Sequence, residues 1–214
     1  MTGGPGAPAA PASRPRGGSF VVALRAEPRL RGLLLALGLV HIGMIAGFTF
    51  LPLRLLALGG HASDVALSAG IGALAEIPAM AVIPQLANRI GLRALLVIGI
   101  LLYVGSLIAW AFLGDPTWIV ASRVFSGFGL AAITIAAVMS IAALLPPELQ
   151  ATGQGLYQTV GFGAAAVIAN AVGGVAFGIG GGTPVFLGCA VLALVGAAVA
   201  WRAAPADAPA ATIR

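Results

Sequence analysis

An all-α, polytopic membrane protein with six transmembrane helices is the fold class this sequence predicts, and three observations carry that reading. Hydrophobic residues make up 60% of the 214 positions and charged residues only 8%, whereas a soluble domain is about 45–50% apolar and about 25% charged. The mean hydropathy is +1.06. Six apolar stretches, each near the roughly 20 residues that a bilayer core requires, alternate with short segments full of helix breakers.

Residues 1–30 read as a flexible cytoplasmic lead rich in Pro, Gly and Ala, which carries Arg14 and Arg16 and has little to pack. It lacks the apolar core of a signal peptide. Residues 31–202 form the transmembrane domain. The first span runs from Gly32 to Leu53, the second from Val65 to Ala87 and the third from Ala94 to Leu113. The fourth extends from Thr117 to Leu145, where Pro146-Pro147 stop it. The fifth covers Thr152 to Phe177 and the sixth Val185 to Trp201. Between them lie Gly59-Gly60, Asn88 to Arg93, Gly114-Asp115-Pro116, Pro146 to Gln150 and Gly178 to Pro184. Residues 203–214 read as a disordered, Ala/Pro-rich cytoplasmic tail.

The net charge of +5 comes from arginine alone. Six crossings return both termini to one side, and Arg14, Arg16, Arg25, Arg29, Arg31, Arg89, Arg93, Arg202 and Arg214 all fall there. Arg54 falls on the other side, with Asp64 and Asp115. The positive-inside rule therefore makes both termini cytoplasmic. The arginines flank apolar spans and form no basic face, so topology explains them and nucleic acid is not an expected partner. Cys189, the single cysteine, lies in an apolar run, which leaves neither a disulfide nor a metal site to build.

Small residues four apart, at Gly43 and Gly47, Ser68 and Gly72, and Gly174 and Gly178, suit close helix approach in lipid. Gly161-Phe162-Gly163 superficially matches a dinucleotide fingerprint, but it sits inside an apolar helix with no preceding strand. No cofactor is expected. Trp110, Trp118 and Trp201 fall near span ends, the usual place for interfacial tryptophan.

The polar groups inside the spans are the candidates for function. Glu76 lies roughly 17 Å and His41 roughly 14 Å from the inner ends of their spans, while Arg123 lies roughly 9 Å from the outer end of the fourth. A carboxylate at mid-helix costs about 2.5–3.5 kcal/mol on insertion scales, so it needs a partner or a task. Two readings stand for Glu76: a fixed ion pair with Arg123 that joins two helices, or a titratable carboxylate at a transport site. Arg123 is either a snorkelling anchor or an anion clamp. His41 either joins a proton relay or bonds a neighbour. On the fifth span Gln154, Tyr157 and Gln158 share one side and Asn170 lies nearly opposite, so at most one of these faces points into a shared cavity. No metal motif, Ser/His/Asp grouping or phosphate loop is present; the chain does not read as an enzyme.

The second junction, Pro84-Gln85-Leu86-Ala87-Asn88-Arg89-Ile90-Gly91-Leu92-Arg93, resembles the cytoplasmic loop signature of the major facilitator superfamily. Arg89, Gly91 and Arg93 match it, Pro84 replaces the leading Gly, and Asn88 replaces the usual Asp. The residues around Ala75-Glu76-Ile77-Pro78, and from Leu145 to Gln154, look like the branch containing phenylpropionate permease and, more distantly, lactose permease. The resemblance covers about Arg31 to Arg202 and implies the C-terminal six-helix half of a twelve-helix transporter. It further implies that the first, second, fourth and fifth spans, which carry His41, Glu76, Arg123 and Gln158, line a cavity, with the third and sixth as outer supports. In such a transporter the solute sits near the midplane between two halves. The expectation is thus proton-coupled transport of a small organic solute by a half-transporter or truncated transporter in the bacterial inner or plasma membrane. A second six-helix half or another copy would cover its polar face. The alternatives are a non-transporting scaffold held by a Glu76–Arg123 pair and an intramembrane enzyme built on His41 and Glu76.

Overall fold

The computed structural model describes residues 17–206. Its described elements are helices joined by tight turns: α1 (Gly17–Ala26), α2 (Pro28–Ala57), α3 (Ala62–Ile90), α4 (Leu92–Phe112), α5 (Pro116–Leu144), α6 (Pro147–Gln158), a π-helical turn (Thr159–Ala164), α7 (Ala165–Gly180) and α8 (Gly182–Ala203). Helix α6, the π turn and α7 run on as one span. With α2, α3, α4, α5 and α8 it makes six helices long and apolar enough to cross a membrane. The fold class is the one the sequence predicts.

The helix starts explain two departures from the expected segmentation. Glu27-Pro28 is a helix N-terminus: the Glu27 carboxylate accepts a 3.0 Å bond from the Arg29 amide and Pro28 occupies the first turn. Helix α2 therefore begins before the expected domain start. Gly17–Ala26 is helical as well and packs against α6, so the later part of the expected flexible lead is ordered structure. Residues 1–16 lie outside the described part. At the other end, Ala204 to Ala206 continue past α8 and dock on the start of α4, where the Leu92 amide donates to the Ala206 carbonyl at 3.1 Å. That portion of the expected tail is therefore held; residues 207–214 lie outside the description.

Helix contacts trace an arc. Helix α3 packs on α5, α5 on α4, α4 on α8, α8 on α2, and α2 on α7, while α3 and α7 do not touch. The gap between α3 and α7 is floored by α2 and α5, which also meet. Burial follows this order: 61% of the most apolar stretch of α2 is buried, against 28% for α3 and 17% for the α6–α7 span. The two flanking spans are thus the ones left open. Helices α4 and α8 turn apolar side chains outward, among them Ile98, Leu101 and Ile108 on α4 and Val191, Leu194 and Val195 on α8, as lipid-facing surfaces require.

Close backbone approach sets two of the packing contacts. A Cβ on Gly43 would press on Cys189 of α8, and one on Gly47 would meet the Tyr103 hydroxyl and Trp110 of α4. The expected pair Gly174 and Gly178 faces open space instead, and Gly173 takes the packing role by receiving the Phe50 ring. A one-residue shift separates the packed glycine from the expected one because the face of α7 is set by the π turn before it.

Candidate functional site

A close helix crossing, α3 on α5, bounds the cavity that holds Arg123. Gly127 of α5 lies against α3 so tightly that a Cβ would stand 2.5 Å from the Gly72 carbonyl oxygen and 3.0 Å from the Ala75 methyl. Gly72 in turn leaves room for the Arg123 guanidinium to cross α3. There Nε donates to the Ser68 carbonyl at 3.2 Å and Nη1 donates to Ser126 Oγ at 2.8 Å, while Ser126 donates back to the Arg123 carbonyl at 2.9 Å. Aromatic faces flank the cation, with Phe48 at 5.3 Å and Trp110 at 5.4 Å from its centre. Arg123 is only 5% exposed, so it stays inside the protein and does not snorkel.

Trp110 departs from the interfacial place expected of it. It is fully buried, unlike Trp118 and Trp201. Its indole N–H donates to Ser122 Oγ at 2.9 Å, and its ring meets Tyr103 and Phe186 edge-on. Tyr103, whose hydroxyl donates to the Met44 carbonyl at 3.3 Å, is equally buried. The sequence holds a signal for this pair, since Tyr103 and Trp110 are seven apart on one face of α4 and Gly47 leaves them space.

Glu76 and Arg123 open onto one cavity of about 130 Å³, bounded also by Phe48, Ala73, Ser126 and Leu130. The carboxylate is half-buried. The fixed ion pair expected of a scaffold is not formed: among the described residues the salt bridge is His61–Asp64, at 3.8 Å on the surface. The guanidinium is therefore satisfied by neutral oxygens and rings, and its charge is left without a carboxylate in contact.

His41 is placed elsewhere. It is fully buried, with Nδ1 2.8 Å from the Leu37 carbonyl and Nε2 3.2 Å from the Tyr157 hydroxyl. A carbonyl only accepts, so Nδ1 carries the hydrogen, and Nε2 of the neutral ring accepts from Tyr157. Tyr157 and Phe162 meet the imidazole edge-on, and Gly161 makes the space for it. His41 does not line the Glu76 cavity; the two groups an intramembrane enzyme would need are not brought together there.

The π turn rearranges the fifth span. Tyr157, Gly161, Ala165, Ala169 and Gly173 are all buried, a stripe with a repeat of four. In a straight α-helix residues four apart drift by about 40° round the axis, or about 160° over the whole stripe. The wider π turn takes up part of that rotation and keeps the stripe on α2. Gln158 and Asn170 each directly follow a stripe residue and are both exposed, so they share one flank. The straight-helix expectation that placed them on nearly opposite faces is corrected by this turn. Asn170 is bonded across to α2, where Thr49 donates to its Oδ1 at 3.0 Å, and its amide donates to the Ala166 carbonyl at 2.8 Å. Gln154, in the same row, donates to the Val138 carbonyl of α5 at 3.1 Å.

The α3–α4 junction is built around Gly91, whose φ of 83° and ψ of 158° suit glycine almost alone. Arg93 Nε donates to the Ala204 carbonyl at 3.1 Å and its guanidinium lies over Trp201 at 5.9 Å. Asn88 and Arg89 are exposed. Among the described residues no three His, Cys, Asp or Glu side chains gather as a metal site would require. Among known families, the model described as the MFS_1 like family matches residues 8–188; the chain belongs to that family and is an integral membrane protein of the major facilitator type.

Proposed function

We propose that this chain moves a small organic solute across the membrane as one six-helix half of a proton-coupled secondary transporter, with both termini cytoplasmic. Family membership points to transport. The observation that carries the rest is Arg123: a guanidinium 5% exposed, bonded to neutral oxygens, without a contacting carboxylate, and open to the same cavity as Glu76. A buried cation without a counter-charge in contact is costly in lipid. An anionic group on the solute would supply that charge, and Glu76 would hold or release the coupled proton.

The cavity's size supports the half-transporter reading. Solute pockets usually enclose about 300–1,000 Å³, whereas this one encloses about 130 Å³. It has room for one functional group, and the remaining walls would come from whatever covers the open face between α3 and α7. On that face Gln158, Asn170 and Thr49 are exposed beside Phe48, a composition suited to a mating protein surface. The resemblance to the phenylpropionate permease branch makes the C-terminal half the closest fit.

The test is solute-dependent proton uptake in membrane vesicles, screening small carboxylates with 3-phenylpropionate first. Glu76→Gln is expected to abolish proton movement while solute exchange persists. Arg123→Lys, which keeps the charge but loses the planar fork, is expected to weaken solute binding. Coupled transport unchanged in both variants would overturn the assignment.

A further inference from the structure

A second cavity, far from Arg123, lies between the start of α2 and the end of α8. It encloses about 630 Å³ and is lined by Pro28, Arg29, Gly32, Val195, Val199 and Arg202 among others. Its floor is apolar, and its two charged lining residues are both arginines. Arg29 and Arg202 are exposed, and among the described residues neither guanidinium has a hydrogen-bond or ion-pair partner. Glu27 is the nearby acid in sequence; its Oε1 accepts from the Arg29 amide at 3.0 Å, and it makes no ion pair with either arginine among the described residues. The neighbouring cations are otherwise engaged: Arg31 Nε donates to the Leu24 carbonyl at 2.8 Å, and Arg93 is held by Ala204 and Trp201.

The depth of the cavity is marked by Trp201, exposed on α8 beside Arg202. Tryptophan concentrates at headgroup level, so the arginines stand at the phosphate layer and the apolar floor runs inward along Gly32, Val195 and Val199 toward the acyl chains. We infer that this groove is a binding site for an anionic phospholipid. The phosphate would lie between Arg29 and Arg202, with one acyl chain along the floor. Basic pockets between transmembrane helices suit such headgroups. A zwitterionic lipid would bring its choline against two guanidinium groups and is disfavoured for that reason.

Native mass spectrometry of the whole chain, released from detergent with added phosphatidylglycerol or phosphatidylcholine, reads the site directly. The wild type is expected to retain phosphatidylglycerol preferentially, and the double variant R29Q/R202Q to retain it about thirty-fold less tightly. Arg25→Gln, on the same side but outside the groove, is expected to leave retention unchanged. Ala198→Trp, which fills the floor and keeps both arginines, is expected to expel the lipid. Equal retention of the two lipids by the wild type, or of phosphatidylglycerol by wild type and double variant, would overturn the inference. Undiminished retention in the Ala198→Trp variant, or displacement of the lipid by millimolar inorganic phosphate alone, would reduce the groove to a surface anion site and also overturn it.

Discussion

The Tyr157 hydroxyl stands 3.2 Å from Nε2 of His41 and joins α6 to the centre of α2. With Nδ1 on the Leu37 carbonyl, the imidazole has both nitrogens occupied, and its surroundings are aromatic or glycine. The bond ties α6 to α2, so Tyr157→Phe is expected to cost stability. The loss should be about 0.6 kcal/mol, the average for interhelical side-chain bonds in a membrane, and at most about 1.7 kcal/mol. Thermal unfolding in detergent measures it; an unchanged midpoint would show that the bond contributes nothing to holding α6 on α2.

The α3–α5 crossing predicts opposite outcomes for two glycines. Gly127→Ala puts a methyl 2.5 Å from the Gly72 carbonyl oxygen, backbone that cannot swing aside. Overpacking of this kind costs about 1–3 kcal/mol, and displacement of α3 would also disturb the Ser68–Arg123 bond. Gly174→Ala meets nothing within 4 Å, and replacing a mid-helix glycine gains about 0.8–1 kcal/mol of helix propensity. Unfolding midpoints should therefore move down for the first and stay level or rise for the second. The same direction in both would show that packing at Gly127 is looser than its geometry implies.

At the α3–α4 junction, the glycine of the superfamily-like loop is needed for its backbone. Gly91 combines a φ of 83° with a carbonyl, that of Ala206, lying where a side chain would start. Gly91→Ala is expected to lower stability by about 1–3 kcal/mol, the cost of holding another residue in that region. It should also release the segment after α8, which limited proteolysis after Ala204 would report. Resistance to proteolysis equal to the wild type would sever Gly91 from that docking.

The spans were legible because bilayer thickness imposes a length and a composition on each one, and the small-residue pair Ser68 and Gly72 signalled the crossing that holds Arg123. Glu76 and Arg123 stood out because ionisable groups are rare at such depth. What a linear reading could not supply was orientation. Trp110 lies near a span end in sequence, yet its ring turns inward because Gly47 leaves a hollow there. The Glu27-Pro28 cap was readable but stood inside a stretch judged by its Pro and Gly content. The repeat of four from Tyr157 to Gly173 was also visible, but its meaning depended on a turn that an ideal helix lacks.

That turn yields the most specific prediction. A π turn is one residue more than the α-helix needs, so removing a residue within it restores ordinary geometry and leaves both flanks of the span nearly where they were. Gly163 has open space around it, and its deletion should be tolerated, with Tyr157 still on His41 and Gly173 still on Phe50. Deletion of Ala171, in the regular part of α7, instead rotates everything beyond it by about 100°, bringing Gly174 to the place of Gly173 and Gly178 to that of Phe177. The Phe177 ring, stacked on Phe50 with centroids 5.4 Å apart, is then withdrawn, at a cost of about 0.5–1.5 kcal/mol beyond its lost burial. The two deletions remove one residue each from the same span, so composition and length are matched. Unfolding midpoints and yield from detergent extraction compare them, and an equal loss in both would mean that the turn plays no part in keeping the buried stripe against α2.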